Sequence, residues 1–167
     1  MTIREQCESL YKAAFGEDKT FDAMLFDLYW ENIETLQKDG IVAAMYFKIP
    51  CTLNLKGNKI PAYYIYAVTT HGDYRHRGLM SQLFADTQTE PDTFYFLKPS
   101  SLGVIPFYRQ AGFTQIIGTR SVSNAAIEVD DKFKKLSSVC DKPQRDYPLM
   151  IKGDYDIEKL TFEFTLE

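Results

Sequence analysis

Apolar positions along the chain change their period several times, and each change predicts an element. Ile3, Cys7, Leu10, Tyr11 and Ala14 recur at helical spacing, and Gly16 ends that stripe. A polar stretch from Gly16 to Thr20 comes next. Thr20 is read as the N-cap of a second helix with the stripe Phe21, Met24, Leu25, Leu28 and Tyr29. Asp39-Gly40 is a hairpin signal between Ile33–Gln37 and the run from Ile41. Ile41 to Leu55 is long for one strand, and Pro50 predicts a break or an edge position. Lys56 to Lys59 reads as the next turn. Tyr63 to Thr69 is β-branched or aromatic apart from Ala67, the pattern of a strand. From Gly78 the residues Leu79, Met80, Leu83 and Phe84 fall on one helical face.

The logic repeats about thirty residues on. Thr93 to Leu97 predicts a strand, Pro99-Ser100-Ser101 a splayed loop, and Gly112 the left-handed residue that ends a short helix. A further strand starts at Phe113. The rest is harder to read: Val122 to Val129 as a strand, Asp130–Ser138 as a short polar helix, and Leu160 to Leu166 as an alternating, half-buried strand. Three antiparallel strands, then strand, helix, strand, helix, strand, make an α+β pattern: a mixed sheet flanked by helices.

Composition narrows the class. With 167 residues, 45% hydrophobic and 14% aromatic, the chain suits one globular domain spanning 1–167. A net charge of -4 argues against nucleic acid as a partner and makes the basic character local. No run approaches a membrane span, and the first residues lack the apolar core of a signal peptide, so the expected setting is cytoplasmic. Cys7, Cys51 and Cys140 are widely spaced, without CxxC or a nearby His. They are expected to be thiols and not a disulfide frame, and no metal is expected.

The candidate chemistry sits between strand and helix, at His71-Gly72-Asp73-Tyr74-Arg75-His76-Arg77-Gly78. A helix N-terminus offers N–H groups without intrahelical acceptors and a partial positive charge. Three basic residues and a glycine beside it make a pocket suited to phosphate. The spelling is neither a P-loop nor a dinucleotide fingerprint.

Arg75-x-x-Gly78-x-Met80 resembles the pyrophosphate segment Q/R-x-x-G-x-G/A of the GCN5-related N-acetyltransferases (GNAT). Phe107-Tyr108-Arg109-Gln110-Ala111-Gly112-Phe113 resembles that family's second signature, F/Y-Y-x-x-x-G-F. Met80 stands where the family most often has Gly or Ala, a departure similar to that of the Eis-like branch. The resemblance is good from about Ile33 to Phe113 and fades after Gly118, leaving the tail 119–167 poorly assigned.

The resemblance implies two splayed parallel strands in the middle of the sheet, with the pantetheine arm of acetyl-CoA satisfying the backbone of Val68, Thr69 and Thr70. The pyrophosphate is expected on Arg75, His76, Arg77, Gly78, Leu79, Met80 and Ser81, mainly through backbone N–H groups. Which arginine faces phosphate stays open. Tyr108 matches the family's acid for the leaving thiolate. The implied activity is acetyl transfer from acetyl-CoA to an unidentified primary amine; homodimerisation is left open. The two N-terminal helices would form a wall of the acceptor site, with Tyr29 and Trp30 as candidate contacts or core aromatics. The general base is open: the strand offers Tyr63, Tyr64 and Tyr66 in place of the family's usual glutamate, and His71 lies at its end. The alternatives are a non-catalytic acyl-CoA-binding module, which Met80, the missing strand carboxylate and the unusual tail favour, and a protein-interaction domain whose basic loop meets an acidic partner.

Overall fold

The computed structural model of the chain describes residues 1–118, 124–142, 148–157, 160–162 and 166. They divide into two compact units. One comprises Met1–Ile49 and Tyr66–Glu90; the other comprises Pro50–Ile65 and Pro91–Glu167.

In the first unit, α1 (Ile3–Phe15) opens with a capping box. The Thr2 hydroxyl accepts from the Glu5 N–H at 3.1 Å, and the Glu5 carboxylate accepts from the Thr2 N–H at 2.7 Å. Helix α2 (Lys19–Tyr29) is capped by Asp18, two residues earlier than Thr20, because the Asp18 carboxylate reaches the Phe21 N–H at 3.1 Å. Its buried face is Phe21, Leu25, Phe26 and Tyr29, so Phe26 joins the expected stripe, which Met24 and Leu28 do not complete. Strands β1 (Ile33–Lys38) and β2 (Ile41–Leu55) form the expected hairpin. Its turn, Asp39-Gly40, has φ of 53° and 77°. Rings of Tyr11, Phe26, Phe47 and Tyr66 meet at 5.3–6.4 Å between centroids and fill this unit's core.

Strand β2 is continuous, so the hairpin pair is followed directly by β3 (Asn58–Thr70) and the expected third antiparallel strand does not exist. Pro50 interrupts nothing. The β2 ladder with β1 ends at Phe47 and that with β6 (Ala125–Glu128) begins at Thr52, so the missing N–H at Pro50 falls outside both. Helix α3 (Leu79–Thr87) buries Leu79, Met80, Leu83 and Phe84, the face its periodicity predicts.

The second unit is a mixed sheet. Its order is β5 (Gln115–Ile117), β7 (Leu149–Lys152), β4 (Phe94–Leu97), then its segments of β3 and β2, then β6 and β8 (Leu160–Thr161). Strands β3 and β4 are parallel over three pairs, Ala62↔Phe94 to Tyr64↔Phe96, and β3 then runs on to Thr70. The Tyr64 and Phe96 rings stack at 5.2 Å across that ladder. Helix α4 (Ile105–Gln110) ends at Gly112, whose φ of 101° is the left-handed conformation its position requires. The expected short polar helix is α5 (Asp131–Ser138), with Asp130 as its N-cap and not its first residue. Strand β7 has no counterpart among the elements the sequence predicts; it pairs antiparallel with both β4 and β5. Part of the Val122 strand and residues 163–165 of the last one lie outside the described residues. Among the described residues no helix is long and apolar enough to cross a membrane.

Candidate active site

All the residues expected to hold acetyl-CoA lie in the first unit, on the end of β3, the loop into α3 and the first turn of α3. The strand end is irregular. Ala67 has φ of 57°, a left-handed conformation inside a strand, and the Thr69 hydroxyl donates to the Ala67 carbonyl at 3.0 Å. A positive φ there breaks the strand's regular pleat and re-aims Val68, Thr69 and Thr70, as a bulge does. Thr69 is buried, whereas Val68 and Thr70 are half-exposed. Ala67 is the one residue in Tyr63–Thr69 that is neither β-branched nor aromatic, and that exception is the signal pointing to the irregularity.

Past Thr70 the chain makes a short 3-10 turn at Gly72–Tyr74. The His71 N–H donates to the Ala43 carbonyl at 2.8 Å, and the His71 Nδ1 accepts from the Asp73 N–H at 3.1 Å. Arg75 Nε donates back to the Thr70 carbonyl at 3.4 Å, and the Arg77 guanidinium lies 5.3 Å from the Tyr74 ring centre. Residues Arg75, His76, Arg77 and Gly78 are exposed.

His76 and Gly78 have φ of 62° and 72°. Alternation into the left-handed region folds successive N–H groups into a concavity suited to an anion. Gly78 is the N-cap of α3, without a side-chain cap, and the first bond into the helix is from the Gln82 N–H to the Gly78 carbonyl at 3.1 Å. The N–H groups of Leu79, Met80 and Ser81 thus precede the helix's own bonding pattern. A Cβ at Gly78 would meet nothing within 4 Å, so the space over this backbone is open. Met80 is only 6% exposed: its side chain belongs to the core and its backbone to the loop.

The far end of α3 is tied down by a cluster that no sequence motif marks. Lys48, 6% exposed on β2, donates from Nζ to the Thr87 carbonyl at 2.6 Å and pairs with Glu90. A cation on the last carbonyls complements the helix dipole. The Tyr46 and Thr87 hydroxyls are 2.5 Å apart, and burial pushes the Tyr46 phenol up to about 12. Burial also raises the Glu34 carboxyl above its ordinary value; Lys48 opposes this and Glu90 adds to it.

Tyr108 belongs to the second unit, on α4. It is 8% exposed, its ring meets Phe107 at 5.3 Å and Phe113 at 6.2 Å, and its carbonyl accepts from the Phe113 N–H at 2.9 Å. Of the tyrosines on β3, Tyr66 shares a buried bond of 2.8 Å with the Tyr11 hydroxyl, Tyr64 is stacked in the core, and Tyr63 stacks on Tyr95. Tyr29 is a core residue at 1% exposure, while Trp30 lies under the Arg4 guanidinium. The cysteines form no disulfide, and burial raises Cys7 to about 11 and Cys51 to about 12, leaving both protonated.

The family model of the acetyltransferase (GNAT) domain matches residues 4–116, from the second residue of α1 past the end of α4. The chain belongs to this family. No curated protein resembles it closely enough to count as a match. Among solved structures, a conserved protein of unknown function from Enterococcus faecalis, described as a probable N-acyltransferase, is 23% identical with a TM-score of 0.56 over 70% of this chain and 30% of that one. Eis1 from Mycobacterium abscessus is 14% identical with a TM-score of 0.52, over 71% of this chain and 34% of that one. The GNAT family N-acetyltransferase YhbS from Escherichia coli, in complex with CoA, is 13% identical with a TM-score of 0.56 over 96% and 84%. These likenesses concern the fold. This GNAT chain spans under a third of the Enterococcus protein's length.

Proposed function

We propose that this chain transfers an acetyl group from acetyl-CoA to a primary amine. The observation that carries the reading is the loop before α3, where left-handed His76 and Gly78 precede an uncapped helix start beneath open space. The diphosphate is held there by backbone N–H groups of His76 to Ser81, with Arg75 and Arg77 adding charge. Amide groups of the pantetheine arm bond to the backbone of Val68, Thr69 and Thr70.

In the reaction, the neutral amine attacks the thioester carbonyl, the C–S bond breaks, and the sulfur leaves as a thiolate. Tyr108 supplies the proton. A phenol ordinarily titrates near ~10 and a thiol near ~8.5, so transfer is within reach once a hydrogen bond is made. The burial of the Met80 side chain accounts for its departure in the loop by packing. The test is Tyr108→Phe: turnover falls at least ~100-fold with acetyl-CoA binding retained. Unchanged turnover removes Tyr108 from the mechanism.

A further inference from the structure

The unit that carries the diphosphate loop also holds a cleft of about 540 Å³ between α1 and the start of β2. That volume falls in the ~300–1,000 Å³ range of small-molecule sites. Its walls include Ser9, Leu10, Ala13, Ile41, Val42 and His71. Gln6 sets the spacing of those walls: its side-chain oxygen accepts from the Val42 N–H at 2.9 Å, and its amide nitrogen donates to the Gly40 carbonyl at 3.4 Å.

None of the lining residues is Asp, Glu, Lys or Arg. The neighbouring concavity between α1 and α2, of about 300 Å³, is the opposite: Glu8, Glu17, Asp22, Lys12 and Lys19 line it. Four of its charges are engaged internally: Glu8 with Arg4 at 3.0 Å, Glu17 and Lys12 with each other at 2.9 Å, and Asp22 by the Asp18 N–H at 3.0 Å. The cleft, lined by no charged side chain but by the α-ammonium of Met1, keeps two polar side chains beside Gln6. One is Ser9; the other is His71, whose Nδ1 is taken by Asp73 and whose remaining polar group is Nε2–H. His71 directly follows Thr70, the last residue of β3.

We propose that this cleft receives the acceptor, and that the acceptor is a primary amine on one apolar body, aromatic or branched aliphatic, without a second charge. The proposal rests on the reading of the chain as an acetyltransferase. An apolar body is stabilised by covering Leu10, Ile41 and Val42. A second ammonium would be desolvated with no carboxylate to meet it, which selects against polyamines. The same surroundings serve the chemistry. An amine held against a largely apolar surface that carries no carboxylate loses stabilisation of its ammonium form, so more of it is neutral and nucleophilic. Its proton passes to water as the N–C bond forms, and a strand carboxylate is not required.

The test uses the full chain, isotope-labelled, titrated with 2-phenylethylamine or spermidine while backbone amide resonances are followed. Saturable shifts at Ser9, Leu10, Val42 and His71 with phenylethylamine, and none there with spermidine, are expected. Ala13→Trp, at an exposed helix position on the cleft wall, weakens that binding at least ~10-fold, and Ser9→Trp does the same. With acetyl-CoA added, N-acetyl-phenylethylamine forms, at least ~10-fold more slowly in Ala13→Trp. The proposal is overturned by absent shifts, by shifts that persist in both variants, or by an equal response to spermidine. Binding of the amine without acetylation, in protein that binds acetyl-CoA, overturns the acceptor assignment. The titration needs no acetyl-CoA, so a failure of the acetyltransferase reading shows separately, as absent acetyl-CoA binding.

Discussion

His71 Nδ1 accepts a hydrogen bond from the Asp73 backbone N–H at 3.1 Å, and that bond fixes which nitrogen of the ring is protonated. A nitrogen that accepts from N–H carries no proton, so the neutral ring holds its hydrogen on Nε2. Such a ring donates from Nε2 and has no lone pair there to take a proton from an amine. In this arrangement His71 is a cap for the turn at Gly72–Tyr74, and its Nε2–H is a donor. Nitrogen-15 spectra of the imidazole should show the Nε2–H tautomer. His71→Asn, which keeps an acceptor for Asp73, should leave the shape of the pH–rate profile unchanged.

Ala67 makes a second prediction that runs against strand propensity. Valine is favoured in strands, but a β-branched residue at φ of 57° is strained. Ala67→Val should lower stability by about 1–3 kcal/mol. Chemical denaturation checks this: an unchanged midpoint would mean that the strand is regular at this point.

Met80 makes a third. Its side chain is buried on the same face as Leu83 and Phe84. Met80→Gly, which restores a small residue common in the family, should cost about 2–5 kcal/mol from the lost packing. The cost should appear in thermal unfolding, with no gain in acetyl-CoA affinity once folding is allowed for.

Glu34 gives a pH dependence. Its folded-state pKa is raised above the ordinary 4.5, chiefly by burial, so the folded chain binds the proton more tightly than the unfolded one. Stability contributed by the protonated form is therefore present below 4.5 and is lost as pH rises through the folded-state value. Glu34→Gln should flatten the stability profile over that interval and raise the unfolding midpoint at neutral pH. A midpoint that falls at pH 7 would mean that the carboxylate's attraction to Lys48 outweighs its burial.

How much was legible in the sequence differs by element for physical reasons. The α3 face and the Gly112 stop were readable because one side of each pattern is purely apolar or purely conformational. The Asp18 cap was missed because Asp18 and Thr20 both suit an N-cap, and only the bond to Phe21 decides between them. Strand β7 was missed because Leu149–Lys152 is a short apolar run, which periodicity cannot assign and only its pairing with β4 and β5 defines. The loop between strand and helix was legible as a motif, but the positive φ of Ala67 and His76 was not, since neither residue type demands it. Lys48 was invisible: a lysine is buried only where a helix end and a carboxylate converge on it, and sequence does not report convergence.

The most direct measurement is the thermal unfolding midpoint with and without acetyl-CoA, in the natural chain and in Gly78→Glu. Ligand at about a hundred times its dissociation constant adds ~2.7 kcal/mol, which for a chain of this size raises the midpoint by roughly 5–10 °C. The account predicts that rise in the natural chain and its loss in Gly78→Glu, where a carboxylate occupies the open space over the loop. No rise at millimolar acetyl-CoA, or an equal rise in both proteins, would contradict it.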